Sequence, residues 1–362
     1  MQVSEKKTFN LLRSSVTHLE DFCNEIFYEI FEFLDFYHIY EAFSKLNSRF
    51  TNLVNGSNIS IRFNLSKTSK SAFQHHYEHM IIRNEYRIKL LYISNPLIID
   101  YVFSSSILSK LIHLENLNLH NIHSKYIEEL LMYLICMPNL SSLTINCPNN
   151  LTNKNFIFQQ IFLLPVLKYC KLSFEETDKS DSLSVATTKH SSIEQLTIIG
   201  KVNVNEFITI LSYIPQIRRL SVSNIYESSK YQTKKFNPIV LNHLTHVYLN
   251  MKDVNFDNFE SIIKNMSHQI QVLYISTKND ELFTTANHWQ ELIVSHLPNL
   301  RIFDIQHRYS SHKMNHLTYN DFFKQQNFSF WFQRKWFFNY DIYNHEGENQ
   351  IIIYSTNPYR YE

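Results

Sequence analysis

One spacing recurs along most of this chain: apolar, two residues, apolar, one residue, apolar. Its nine copies are Ile88-Leu91-Ile93, Leu114-Leu117-Leu119, Leu140-Leu143-Ile145, Leu167-Cys170-Leu172, Ile193-Leu196-Ile198, Ile217-Leu220-Val222, Leu244-Val247-Leu249, Ile270-Leu273-Ile275 and Leu300-Phe303-Ile305. Successive copies start 26, 26, 27, 26, 24, 27, 26 and 30 residues apart. A unit of that length cannot bury its own apolar face, so neighbouring units must stack into a continuous core. Within each triplet the last two anchors lie two residues apart, the period of a strand. The intervening segments carry helical spacing, as in Lys125–Met137 with Ile127, Leu130, Leu131 and Leu134, and Val204–Ile214 with Phe207, Ile208 and Leu211. Pro138, Pro165, Pro215 and Pro298 stand just before the next anchor, where Pro ends a helix. The predicted class is therefore α/β, each unit a strand followed by a helix.

The L-x-x-L-x-L pattern resembles the leucine-rich repeat, and units of this length with full helices are similar to its ribonuclease-inhibitor-like subtype. That resemblance implies a solenoid with parallel strands on a concave inner wall and helices outside. The family's usual Asn is displaced: Asn95, Asn121 and Asn224 come two residues after the last anchor rather than three. Residues flanking the anchors face the inner wall. They are mostly neutral hydrogen bonders and tyrosines, without the Arg cluster that suits a phosphorylated motif. Tyr169, Lys171, Arg219, Tyr248 and Tyr274 are the residue types that dominate interface energetics, and they are the candidate contacts for a protein substrate.

Before the array, Thr17–Val54 packs three short helical patterns into one stretch. Ile26, Phe27, Ile30, Phe31 and Leu34 form the first stripe, Ile39, Ala42, Phe43 and Leu46 the second, and Arg49, Phe50 and Leu53 begin the third, with Asp35 placed to cap the second helix. So small a unit leaves apolar residues for another surface. The order Leu19, Glu25-Ile26, Ile30, Phe33-Leu34-Asp35, Ala42 and Leu46-Asn47-Ser48-Arg49-Phe50 resembles the F-box, the segment by which substrate receptors of SCF-type ubiquitin ligases hold a Skp-family adaptor. Phe22-Cys23 stands where that family has Leu-Pro. The resemblance implies adaptor contacts at Leu19, Phe22, Cys23, Ile26, Ile30 and Leu34, and assembly as a monomer into a larger adaptor and cullin complex.

The expected organisation is a flexible N-terminus over 1–16, an all-α F-box over 17–56, a leucine-rich-repeat solenoid over 57–316, and a C-terminal β-hairpin cap over 317–362. Asn58–Leu65 alternates as a strand and Ser71–Asn84 has helical spacing, which reads as a degenerate first unit. Glu175–His190 is polar without a stripe and reads as a mobile loop. Lys335–Tyr343 and Gln350–Tyr354 are aromatic and β-branched around Gly347, the pattern of a hairpin, and their aromatics read as core rather than as a base-stacking platform.

Composition narrows the function classes. A net charge of +1 gives no field to draw nucleic acid or a membrane surface. No apolar run spans a bilayer and Met1–Val16 lacks the apolar centre of a signal peptide, so the expected location is cytoplasmic or nuclear. Three glycines, Gly56, Gly200 and Gly347, leave no phosphate-cradling loop or nucleophile elbow. Cys23, Cys136, Cys147 and Cys170 form no C-x-x-C pair and read as reduced, mostly buried thiols. The histidine pairs His75/His79 and His312/His316 have i, i+4 spacing but no H-E-x-x-H acid, so no metal and no cofactor is expected. The resulting expectation is a non-catalytic substrate receptor; the competing one is a repeat scaffold or sensor without a ligase.

Overall fold

The computed structural model describes residues 18–56, 61–65, 69–74, 78–104, 107–151, 153–175, 191–227, 241–266, 268–310, 328–345 and 348–356. The N-terminal stretch 1–16, the polar loop over 176–190, the side chains of both histidine pairs, positions 317–327 and Gly347 lie outside the described residues. The chain divides into two units, Met1–Phe63 and Asn64–Glu362.

In the first unit a single turn at Leu19–Asp21 precedes α1 (Asn24–Glu32), α2 (Phe36–Phe43) and α3 (Ser48–Asn55). Asp35 accepts a 2.9 Å bond from Tyr37 N at the start of α2, and Asn47 accepts one of 3.1 Å from Phe50 N at the start of α3. Each cap satisfies a backbone donor that the first helical turn leaves unpaired. The core is aromatic. Phe27 and Phe31, one turn apart on α1, meet Phe50 and Phe43 with ring centroids 4.9 and 5.1 Å apart. Phe36 packs edge-on against Phe63. The apolar stripe divides between inside and outside: Phe27 and Phe31 are buried, while Ile26, Ile30 and Leu34 are exposed. Three short helices cannot cover so wide a stripe, and burying the larger phenyl rings removes more apolar area from water.

The fold is mixed α/β, with helices and a twelve-stranded, mostly parallel sheet. Strand β1 (Ile61–Asn64) ends at the division between the units. In the second unit β2 (Ile88–Ile93), β3 (Asn116–His120), β4 (Ser142–Cys147), β5 (Tyr169–Phe174), β6 (Gln195–Asn203), β7 (Arg219–Tyr226), β8 (His246–Lys252), β9 (Val272–Lys278) and β10 (Ile302–Ser310) pair in chain order, all parallel. Each of these nine strands contains the second and third anchors of one triplet, the first anchor standing two residues ahead of the strand in all but β2, and the anchors are in register. Leu91, Leu117, Leu143, Cys170, Leu196, Leu220, Val247, Leu273 and Phe303 form one ladder across the sheet. Every residue of that ladder is buried, as are the first and third anchors of each triplet. The arrangement is compatible with an α/β solenoid.

A backbone device sets the register. Glu115 O accepts from both Ser141 N and Ser142 N, Ser141 O from Lys168 N and Tyr169 N, and the same forked bond recurs at each junction up to Gln271 O, which accepts from Arg301 N and Ile302 N. The helices between strands are α4 (Lys70–Ala72), α5 (Glu78–Arg83), α6 (Pro96–Ser104), α7 (Ile107–Lys110), α8 (Ser124–Leu134), α9 (Lys154–Phe162), α10 (Val204–Tyr213), α11 (Phe256–Met266) and α12 (Ala286–His296). Consecutive parallel strands require crossovers of one hand, which puts the helices on one side of the sheet, where the anchors are buried. The opposite face keeps side chains that are only half-covered or exposed.

Two features interrupt this regularity. Lys154, at the start of α9, is buried; its Nζ donates to Glu206 Oε2 and to Lys201 O, both at 2.8 Å, and stands 5.2 Å from the centroid of Phe174. Gly200 in β6 runs so close to Phe174 that any Cβ there would collide with the ring, which accounts for a glycine inside a strand. Beyond β10, α13 (Phe328–Gln333) precedes β11 (Phe338–His345) and β12 (Glu348–Ser355), an antiparallel pair whose β12 lies antiparallel against β10. Trp331 and Trp336 are buried beside Phe303, and Trp336 Nε1 donates to Arg301 O. These aromatics are core, while Phe332 and Phe337 stay exposed.

Of the thiols expected to be mostly buried, only Cys147 and Cys170 are; Cys23 and Cys136 are exposed. Both exposed thiols stand at helix ends, Cys23 as the residue before α1 and Cys136 just beyond α8. Burial pushes the Cys170 thiol pKa well above its ordinary range.

Candidate functional site

The first unit presents its candidate contacts on the outside. Leu19, Phe22, Ile26, Ile30 and Leu34 keep 37–43% of their surface exposed. Phe33, which sequence reasoning did not single out as a contact, is 88% exposed, because it caps α1 and follows the last residue that the core can reach. Cys23 precedes α1 in extended conformation; a backbone N–H at Glu25 and the Cys23 thiol hold the Glu25 carboxyl below its ordinary pKa.

Arg49 of α3 fastens this surface. Its guanidinium donates to Glu20 O at 2.6 Å, to Phe22 O at 2.5 Å, and through two nitrogens to Asn24 Oδ1 at 3.0 and 2.8 Å. It also lies 5.7 and 5.9 Å from the ring centroids of Phe27 and Phe50. A planar five-donor group suits such converging acceptors where a lysine ammonium would not. The segment carrying Leu19, Phe22 and Cys23 is thereby tied to α3 in the absence of the proline that would stiffen it.

In the second unit the open face of the sheet carries the other candidates in two rows. Tyr169 and Arg219 stand in one row, separated by Gln195 of β6. Lys171, Tyr248 and Tyr274 stand in the next, with Thr197 and Ser221 between Lys171 and Tyr248. The five do not form one cluster. Tyr248 and Tyr274 meet with ring centroids 6.2 Å apart, whereas Lys171 is three strands from Tyr248, about 14 Å at ordinary strand spacing. Burial, then Lys171, lowers the His120 pKa, and burial, then Arg219, lowers that of His246.

Sequence reasoning did not single out Lys252, Lys278 or Arg308 as contacts. β8 and β9 run on to Lys252 and Lys278, and β10 passes Arg308, all three side chains exposed on the face that carries Tyr248 and Tyr274. They edge a cavity of about 220 Å³, lined also by Asn250, Tyr274, Ser276 and Gln306. Behind it, Thr277 Oγ1 and His307 Nδ1 are 2.7 Å apart in the core, and burial pushes the His307 pKa down to about 3. The signal was available: a period-two count continued from Tyr248 through Asn250 reaches Lys252.

No family model and no curated protein matches the sequence. Among the described residues, no group of three or more His, Cys, Asp or Glu is placed to hold a metal ion, and no helix is long and apolar enough to cross a membrane.

Proposed function

We propose that this chain is a substrate-recognition subunit of an SCF-type ubiquitin ligase, its N-terminal unit docking a Skp-family adaptor and the open face of its sheet holding a protein substrate. The observation that carries the reading is the sorting of side chains on α1: Phe27 and Phe31 build the core, while Ile26, Ile30 and Leu34, with Leu19 and Phe22, stay outside. Apolar residues gathered on so small a unit mark a surface for another protein. Ubiquitin transfer would be carried out by other subunits, and this chain would act by positioning.

The test is recovery of a Skp-family adaptor with the full chain from a co-expression lysate. Ile30→Glu with Leu34→Glu puts two charges where the proposed contact would bury them without partners, and recovery should fall by about tenfold or more. Both positions are already part-exposed, so the unit should keep its circular dichroism and melting temperature. Undiminished recovery with the double variant overturns the proposal.

A further inference from the structure

Lys252, Lys278 and Arg308 stand on three adjacent strands at the same end of the sheet. Lys278 and Arg308 are register partners, and Lys252 lies two residues beyond Asn250, the partner of Ser276. At ordinary strand spacing the row covers about 10 Å. The acids nearest in sequence are occupied elsewhere: Asp253 accepts from the Asn279 side chain, and Asp280 from Phe256 N and Leu282 N. Asp304 shares the face but lies four residues before Arg308, about 13 Å along the strand. Between the cations and the Tyr248–Tyr274 pair sit the neutral side chains of Asn250, Ser276 and Gln306, lining the cavity.

We infer that this end of the open face binds an acidic segment of a partner protein, its Asp and Glu carboxylates on Lys252, Lys278 and Arg308 and its intervening side chains against Tyr248 and Tyr274. Charge complementarity names the occupant. Three exposed cations in a row offer charge-assisted bonds to carboxylates, and the amide and hydroxyl groups of the cavity can bond the backbone of an extended chain. The chain's overall charge of +1 offers little attraction for a long polyanion, which favours a local acidic peptide over nucleic acid. The inference rests on the open face being the substrate surface and is independent of the adaptor.

The experiment is fluorescence anisotropy of the full chain with a labelled dodecapeptide of alternating Glu and Ser, its Gln and Ser counterpart, and an oligothymidylate of equal length. The acidic peptide should bind, more weakly at high salt, and the neutral peptide should not. Binding should fall about tenfold or more in the triple variant Lys252→Gln, Lys278→Gln, Arg308→Gln, and be kept by Lys264→Gln on α11. Should the triple variant melt early, Lys278→Gln alone should show a smaller loss in the same direction. Failure of the acidic peptide to bind, equal binding to the triple variant, or equal binding of the oligothymidylate overturns the inference. Adaptor recovery should be unchanged in the triple variant, so failure here and failure of the adaptor reading are separate results.

Discussion

Replacing Lys154 with Met should be among the costliest single changes in the second unit. The Lys154 and Glu206 side chains are only 6% and 4% exposed, and the ammonium supplies the 2.8 Å bond to Glu206 Oε2. Without it the carboxylate keeps the 3.2 Å bond from Asn203 N, while Oε1 has no partner even in the intact protein. A buried charge stripped of its counter-ion costs about 3–5 kcal/mol, far more than the exposed pair Lys89–Glu115 contributes. Adding Glu206→Gln to Lys154→Met removes the stranded charge and keeps an acceptor for Asn203 N. The double variant should therefore regain about 2–3 kcal/mol over Lys154→Met. Burial, opposed by Glu206, holds the Lys154 pKa below its ordinary value, consistent with a desolvated ammonium. Equilibrium urea unfolding of wild type, Lys154→Met, Glu206→Gln and the double variant gives the coupling directly, provided the m-values agree. A loss under about 1 kcal/mol in Lys154→Met, or a double variant less stable than that single one, would show that water reaches the pair and refute the reasoning.

Arg49→Ala should cost about 2 kcal/mol in the first unit and speed amide exchange over Leu19–Asn24, since the guanidinium holds two carbonyls and a side chain there; unchanged exchange would mean that the segment is held by other contacts. His307, with its folded pKa pushed down to about 3, should make the protein acid-sensitive. As pH falls below about 6.5 the unfolded chain takes up a proton that the folded one refuses, so stability drops until about pH 3. Compared across pH 4 to 6, wild type should lose stability more steeply than His307→Gln by about one proton; equal slopes would contradict the assignment.

Much of the parallel sheet was legible because its anchors are apolar, buried and in register, so the last two anchors of each triplet mark a strand. Strand ends were not. The triplet ends at its third anchor and does not say how far a strand runs on, so Lys252, Lys278 and Arg308 are reached only by carrying the period-two count past it. On α1 the apolar count exceeded what two neighbouring helices can cover, and spacing alone cannot say that phenylalanines take the inside and isoleucines the outside. Lys154 and Glu206 were invisible for another reason. They are 52 residues apart, and a lysine opening a helix gives no sign of burial until the next unit is laid on it. At the C-terminus the alternation around Gly347 marked a hairpin, but nothing in it told that β12 would pair with β10 and reverse the direction of the sheet.

The forked carbonyl bonds ahead of β4 to β10 separate two kinds of length. Between one fork and the next the chain varies from 24 to 30 residues, and the difference is absorbed on the helical side without disturbing the ladder. From fork to anchors the count is constant, and one added residue there would exchange the core side of a strand for its open side. The protein thus works like a ruled scale with slack between the marks. Descent can lengthen, shorten or replace the connecting segments freely, while each position on the open face keeps its address and can change its side chain alone.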